Sequence, residues 1–102
     1  MIFTETKLKG AYVIEPERKE DERGFFARTF CQEEFEAHSL NPRVVQCNIS
    51  FNKKKGTLRG MHYQIASHQE TKLVSCVRGQ YTMSLLTCGL ILLPIVTGSQ
   101  WI

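Results

Sequence analysis

The stretch LRGMHYQ, residues 58–64, places Arg59 three positions before His62 inside a run that otherwise reads as a β-strand. Histidine is the side chain that exchanges a proton near neutral pH, and arginine pairs with anions. Strict strand alternation puts Leu58, Gly60, His62 and Gln64 on one face and Arg59, Met61 and Tyr63 on the other. For Arg59 and His62 to serve one site the backbone must bulge, and Gly60 is where that is easiest. A second polar alternation lies in VQCNIS, where Gln46, Asn48 and Ser50 share a face of an apolar run and call for internal partners or a ligand. On spacing alone, a lone strand histidine is more often structural than catalytic, and Arg59 reads equally as an ion-pair residue.

The elements that must carry these groups are short. Residues 11–14 read as an extended run closed by Pro16 and a charged loop. FFARTF alternates, with Phe26, Arg28 and Phe30 on one face. QEEFEAHSL, residues 32–40, suits a helix ended before Asn41-Pro42. RVVQCNISF, TLRGMHYQ and TKLVSCV read as three more strands, separated by an NKKKG turn with Gly56 at its tight point and by a polar IASHQE loop. The pattern predicts a mainly β fold of the sandwich or barrel kind.

At 102 residues the chain suits one small domain, and 13 Lys and Arg against 10 Asp and Glu leave a formal charge of only +3. That balance disfavours a nucleic-acid partner, and Lys53–Lys55 lack the interleaved aromatics such a surface needs. Cys31, Cys47, Cys76 and Cys88 form no CxxC pair, so neither a zinc site nor a redox motif is expected, and no secretory signal is evident at the start. Free thiols in the cytoplasm follow. From residue 80 onward there is no charged side chain. The run MSLLTCGLILLPIV raises a membrane-anchor reading over residues 81–97, opposed by Gly89 and Pro94 within it.

The blocks DERGFFARTF, VVQCNISFNKKKGTLRGMHYQ and KLVSCVRG, in that order and at those separations, resemble the dTDP-4-dehydrorhamnose 3,5-epimerase family over residues 1–79. The resemblance implies a cupin-type jelly roll, of which this chain holds the N-terminal half, built as a homodimer with exchanged N-terminal strands. It implies no metal and no cofactor; His62 is followed by Tyr63 and Gln64 and so forms no HxH pair. It also implies that the chain epimerises C3 and C5 of dTDP-4-keto-6-deoxyglucose, in dTDP-L-rhamnose biosynthesis.

The resemblance further assigns His62 as the base and Lys72 as the cation beside the keto oxygen. Arg23 and Arg59 hold the nucleotide portion, Gln46 and Asn48 make polar contacts to the same ligand, and Phe26 meets the thymine end. Arg28 stands where many members carry glutamate. The family's tyrosine acid and the aspartate that orients its histidine lie in a C-terminal part with no counterpart here, which makes a non-catalytic nucleotide-sugar-binding fragment the alternative expectation.

Beyond Gly79 the resemblance is lost. A family-like continuation, GAIYDVIIDLRPDSPTY, can be coded so that loss of one base yields GQYTMSLLTCGLILLPI, the residues at 79–95. Residues 80–102 are therefore expected to be a frameshifted, aberrant apolar tail, with Gln100-Trp101 marking a restored frame and no membrane role. Gly and Pro would then fall where a core strand should run.

Overall fold

The computed structural model describes residues 1–86 and the backbone of residues 95–100. Strand is its main regular structure, arranged as three antiparallel two-stranded sheets: β1 (Ile2–Glu5) with β2 (Tyr12–Glu15), β3 (Arg18–Asp21) with β4 (Gly24–Ala27), and β5 (Gly79–Ser84) with β6 (Ile95–Gln100). One α-helix, α1 (Gln32–Ala37), and a short 3-10 turn at Ala66–His68 complete the regular elements among the described residues. The chain divides into two compact units, residues 1–42 with 74–102, and residues 43–73.

In the first unit, β1 and β2 pair in the register Phe3↔Ile14 and Glu5↔Tyr12. Their connection is fixed by side chain and backbone together. The Thr6 amide donates to Ala11 O at 2.8 Å, the Leu8 amide donates to Thr6 Oγ1 at 3.1 Å, and the Gly10 amide donates to Glu5 Oε1 at 3.1 Å. Leu8 is buried under this loop.

Helix α1 lays Phe35 against the hairpin. Phe35 is 5% exposed and meets Phe3 edge-on at 5.6 Å between ring centroids and Phe30 at 4.9 Å. His38 stacks on Phe3 at 3.9 Å while its Nδ1 lies 2.8 Å from Glu34 O. Edge and stacked ring geometries of this kind add to the area they bury.

The helix begins with Glu33 and Glu34 in its first turn, where carboxylates favour the positive end of the dipole. It ends through Ser39 at φ 56°, with the Ser39 amide donating to Glu36 O at 2.9 Å and the Leu40 amide donating to Phe35 O at 2.9 Å. Those two bonds are the 5→2 and 6→1 pair of a Schellman motif, which satisfies the last carbonyls. The helix thus stops short of Leu40, and the capping turn accounts for the remaining residues up to Asn41-Pro42.

Glu34 has a second task. It accepts from Arg28 Nη1 at 2.9 Å and from the Met1 ammonium group at 2.7 Å, so one carboxylate ties the chain after β4 and the start of β1 to α1. Both cations hold its carboxyl below the usual range, the Met1 bond contributing most.

Several sequence expectations need correction. Residues 18–21 form strand β3, where a charged loop was expected: RKED has no apolar alternation, but the turn chemistry after it sets the pairing. The extended run expected at residues 11–14 is found as β2, with β1 as its unforeseen partner. The strand expected for FFARTF ends at Ala27, so Arg28 and Phe30 lie beyond it.

The largest departure is at RVVQCNISF, TLRGMHYQ and residues 71–76 of TKLVSCV, none of which is in a strand. Their β-branched composition suits a strand, but a strand exists only where a neighbour takes its backbone bonds, and no described segment does so here. The apolar side chains stay exposed in consequence, among them Val45, Ile49, Phe51, Leu58 and Tyr63. A mainly β fold is therefore observed, as hairpins rather than as a layered sheet.

Strand β5 forms at Gly79–Ser84, and Tyr81 donates its hydroxyl to Val74 O at 3.3 Å. The Gly89 and Pro94 expected to break this region lie outside the described residues, as does most of the apolar run. Among the described residues no helix is long and apolar enough to cross a membrane. Cys31, Cys47 and Cys76 are free, in line with the expected thiols, and Cys88 lies outside the described residues.

Two substitutions test this account of the first unit. Phe35→Ala should lower the unfolding free energy by about 3 kcal/mol, the scale for emptying an aromatic site. Ser39→Gly should raise it by about 1 kcal/mol by relieving a side chain held at positive φ. Urea melts followed by circular dichroism read both; a destabilised Ser39→Gly chain would contradict the capping geometry.

Candidate functional site

Arg23, Phe26 and Arg28 belong to the first unit, and Gln46, Asn48, Arg59, His62 and Lys72 to the second.

In the first unit the turn Glu22-Arg23 joins β3 to β4 with Asp21 opposite Gly24. Asp21 builds this turn. Its Oδ1 accepts the Arg23 amide at 2.8 Å, the Asx-turn bond by which an aspartate reverses its own chain. Gly24 follows at φ 131°, a conformation open to glycine because it has no Cβ. The same carboxylate takes the Arg23 guanidinium, Nη2 to Oδ2 at 2.6 Å.

Arg23 is thus aimed by its neighbour while its side chain remains 89% exposed. The Arg23 side-chain bond, then its backbone bond, hold Asp21 below its usual carboxylate range. With Phe25 and Phe26 these residues line a shallow depression of about 240 Å³. Phe26 is 73% exposed, and Arg18 lies over the Phe25 ring at 4.7 Å in a cation–π contact. A flat aromatic face beside an exposed guanidinium can take a ring and an anion together. Arg28 takes no part in that depression; it is committed to Glu34.

In the second unit the NKKKG turn forms as expected, with Gly56 at φ 77° and Thr57 Oγ1 donating to Lys54 O at 2.8 Å. Arg59 Nε donates to Asn52 Oδ1 at 2.7 Å, which ties the residue before the turn to the segment after it. Gly60 takes φ 108° in a segment that forms no strand among the described residues, so there is no ladder for it to bulge from. His62 is exposed, and among the described residues no hydrogen bond or ion pair reaches it. Gln46 and Asn48 are exposed as well. Lys72 is ion-paired with Glu70, and its Nζ lies 3.5 Å from Gln64 Oε1. Among the described residues no group of three His, Cys, Asp or Glu side chains is placed to hold a metal ion.

The sequence reading missed Asp21, Asn52 and Glu70, each the partner of an assigned cation. The signal was available for Asp21 and Glu70, since each carboxylate stands two residues before its cation. Asn52 is seven residues from Arg59, and only the turn between them makes the pair.

A profile of the dTDP-4-dehydrorhamnose 3,5-epimerase family matches residues 5–86. The chain is 45% identical over 78 residues to a protein named dTDP-4-dehydrorhamnose 3,5-epimerase from Methanothermobacter thermautotrophicus, covering 76% of this chain and 41% of the relative. It is 42% identical over 81 residues to the protein of that name from Shigella flexneri, covering 78% and 44%. The Sinorhizobium fredii protein of that name is 33% identical over 79 residues, covering 78% and 40%. The chain thus spans about two-fifths of the length of the curated relatives it matches. No solved structure matches it.

The Asp21–Arg23 pair gives a pH prediction. A carboxylate whose folded pKa is depressed contributes stability that is present above its unfolded pKa and is lost as pH falls through the folded value. The turn should therefore hold at neutral pH and loosen only below the ordinary aspartate value of 3.8. A carboxyl-detected NMR titration should find the Asp21 midpoint below that value in wild type and returned toward it in Arg23→Gln; equal midpoints would contradict the pairing.

Proposed function

We propose, from the premise that this chain belongs to the dTDP-4-dehydrorhamnose 3,5-epimerase family, that it carries the family's proton-abstracting base and its nucleotide-sugar grip. The observation that supports this most is that the matched residues 5–86 include every candidate group, from Arg23 to Lys72.

The substrate in this reading is dTDP-4-keto-6-deoxyglucose. Its C3 and C5 protons flank the 4-keto group, so removing either leaves an electron pair that delocalises onto the carbonyl oxygen as an enolate. His62, exposed and free of described partners, takes the proton on a neutral imidazole nitrogen. The Lys72 ammonium faces the developing oxyanion and lowers its energy. A proton returned from the opposite face of the ring inverts the carbon, and that acid is not among the groups assigned here.

Arg23 and Arg59 pair with the diphosphate, a task suited to the planar donor fork of guanidinium. The exposed ring of Phe26 stacks on the thymine, and Gln46 and Asn48 supply polar contacts. Arg28 belongs to this group only if it leaves Glu34. The reaction needs no cofactor, takes place in the cytoplasm, and is carried out by a homodimer of the jelly-roll type.

We also propose that residues 80–102 are the frameshifted counterpart of a family strand and its sequel. The loss of every charged residue after Arg78 supports this, while the family match runs past Gly79 to residue 86. The gene sequence tests it: restoring one base near codon 79 should recover a charged, alternating segment, and a coding sequence that cannot do so contradicts it.

The activity is tested by proton NMR of the sugar nucleotide in deuterated water. The 102-residue chain should erase the C3 or C5 signal, and His62→Ala should slow that loss by about a hundredfold or more, the lower scale for removing a general base. Binding of dTDP without exchange by a folded sample would replace the enzymatic reading with that of a nucleotide-sugar-binding fragment.

A further inference from the structure

Lys72 is held by two groups that the catalytic assignment leaves without a task. Its ammonium is ion-paired with Glu70 and lies 3.5 Å from Gln64 Oε1. The lysine is thus the shared partner of both side chains. The chain geometry makes both contacts reachable. Residues 65–69 reverse direction through the 3-10 turn at Ala66–His68, where the His68 amide donates to Ile65 O at 2.8 Å, and residues 70–72 return beside residue 64.

Gln64 is two residues after His62, so the lysine–Gln64 contact ties the lysine to the segment that carries the histidine.

We propose that Glu70 and Gln64 are positioning residues for Lys72, holding its ammonium on the His62 segment so that cation and base address the same carbonyl substrate. The proposal rests on the epimerase reading for what the lysine does, but the tether itself does not. A flexible four-carbon stem has many rotamers to lose, and an anchor made before substrate arrives removes that cost from the encounter. Glu70 supplies charge, and the Gln64 amide oxygen accepts from the same ammonium and gives it direction. The lysine bond, followed by the lysine charge, holds the Glu70 carboxyl below its ordinary range.

The alternative role is that of an exposed ion pair with no consequence for the lysine's placement. Both partners are about half exposed, 57% for Lys72 and 53% for Glu70, so the effect on lysine accessibility is modest, about two- to fivefold.

Limited acetylation of the full chain, read lysine by lysine by mass spectrometry, tests the tether without reference to catalysis. Glu70→Ala should raise the rate at Lys72 about two- to fivefold and leave Lys53, Lys54 and Lys55 unchanged. Glu70→Gln, which retains an acceptor but no charge, should fall between, and Gln64→Ala should also raise it. Equal Lys72 rates in all four chains would overturn the proposal. The exchange assay then separates the two readings. If the lysine works as assigned, Glu70→Ala should slow C3 and C5 exchange, lower kcat more than it changes KM, and add nothing to Lys72→Ala in the double variant. A full, additive loss would overturn the positioning role. Altered labelling with exchange indifferent to Lys72→Ala would leave the tether standing and sink the lysine's catalytic assignment instead.

Discussion

Backbone pairing is the constraint on which the rest of this structure depends. Each residue in an extended segment carries a donor and an acceptor that only a neighbouring strand, a turn or water can satisfy. Where the chain folds back over a short loop, as at Thr6–Ala11 or Glu22-Arg23, the neighbour is local and a hairpin forms. In residues 44–73 no described segment forms a ladder, and segments with strand composition remain outside any strand and exposed. Small side-chain contacts then hold the candidate groups: Asn52 on Arg59, and Glu70 and Gln64 on Lys72.

Carboxylates do much of the remaining placement. Asp21 shapes the turn that presents Arg23 and fixes the arginine at the same time. Glu34 gathers Arg28 and the Met1 ammonium onto α1. Such exposed pairs add little to stability one by one. Their use here is directional, since each limits where a long cation can point. For Arg28 the partner is Glu34, and Arg28 does not line the depression around Arg23.

How much of this was legible in the sequence depended on the range of the interaction. The helix from Gln32 and the tight point at Gly56 were read from local composition, and each rests on residues within one turn of itself. Strand β3 was missed because RKED has no apolar period, and its cause is the aspartate that nucleates the following turn. That residues 44–51 form no strand among the described residues could not be read locally at all, because composition reports what a segment would do with a neighbouring strand and says nothing of whether one is at hand. The order of the motif blocks, by contrast, was a long-range signal, and it identified the family that the matched profile supports.

Residue-resolved amide hydrogen exchange tests the central claim most directly, because it reports backbone pairing in each segment of one sample. The account predicts protected amides in the ladder of Ile2–Glu5 with Tyr12–Glu15 and at Leu40, and exchange within about tenfold of the unstructured rate across residues 44–52 and 57–64. Protection of those two segments equal to that of the hairpin would show that they have found strand partners, and would contradict it.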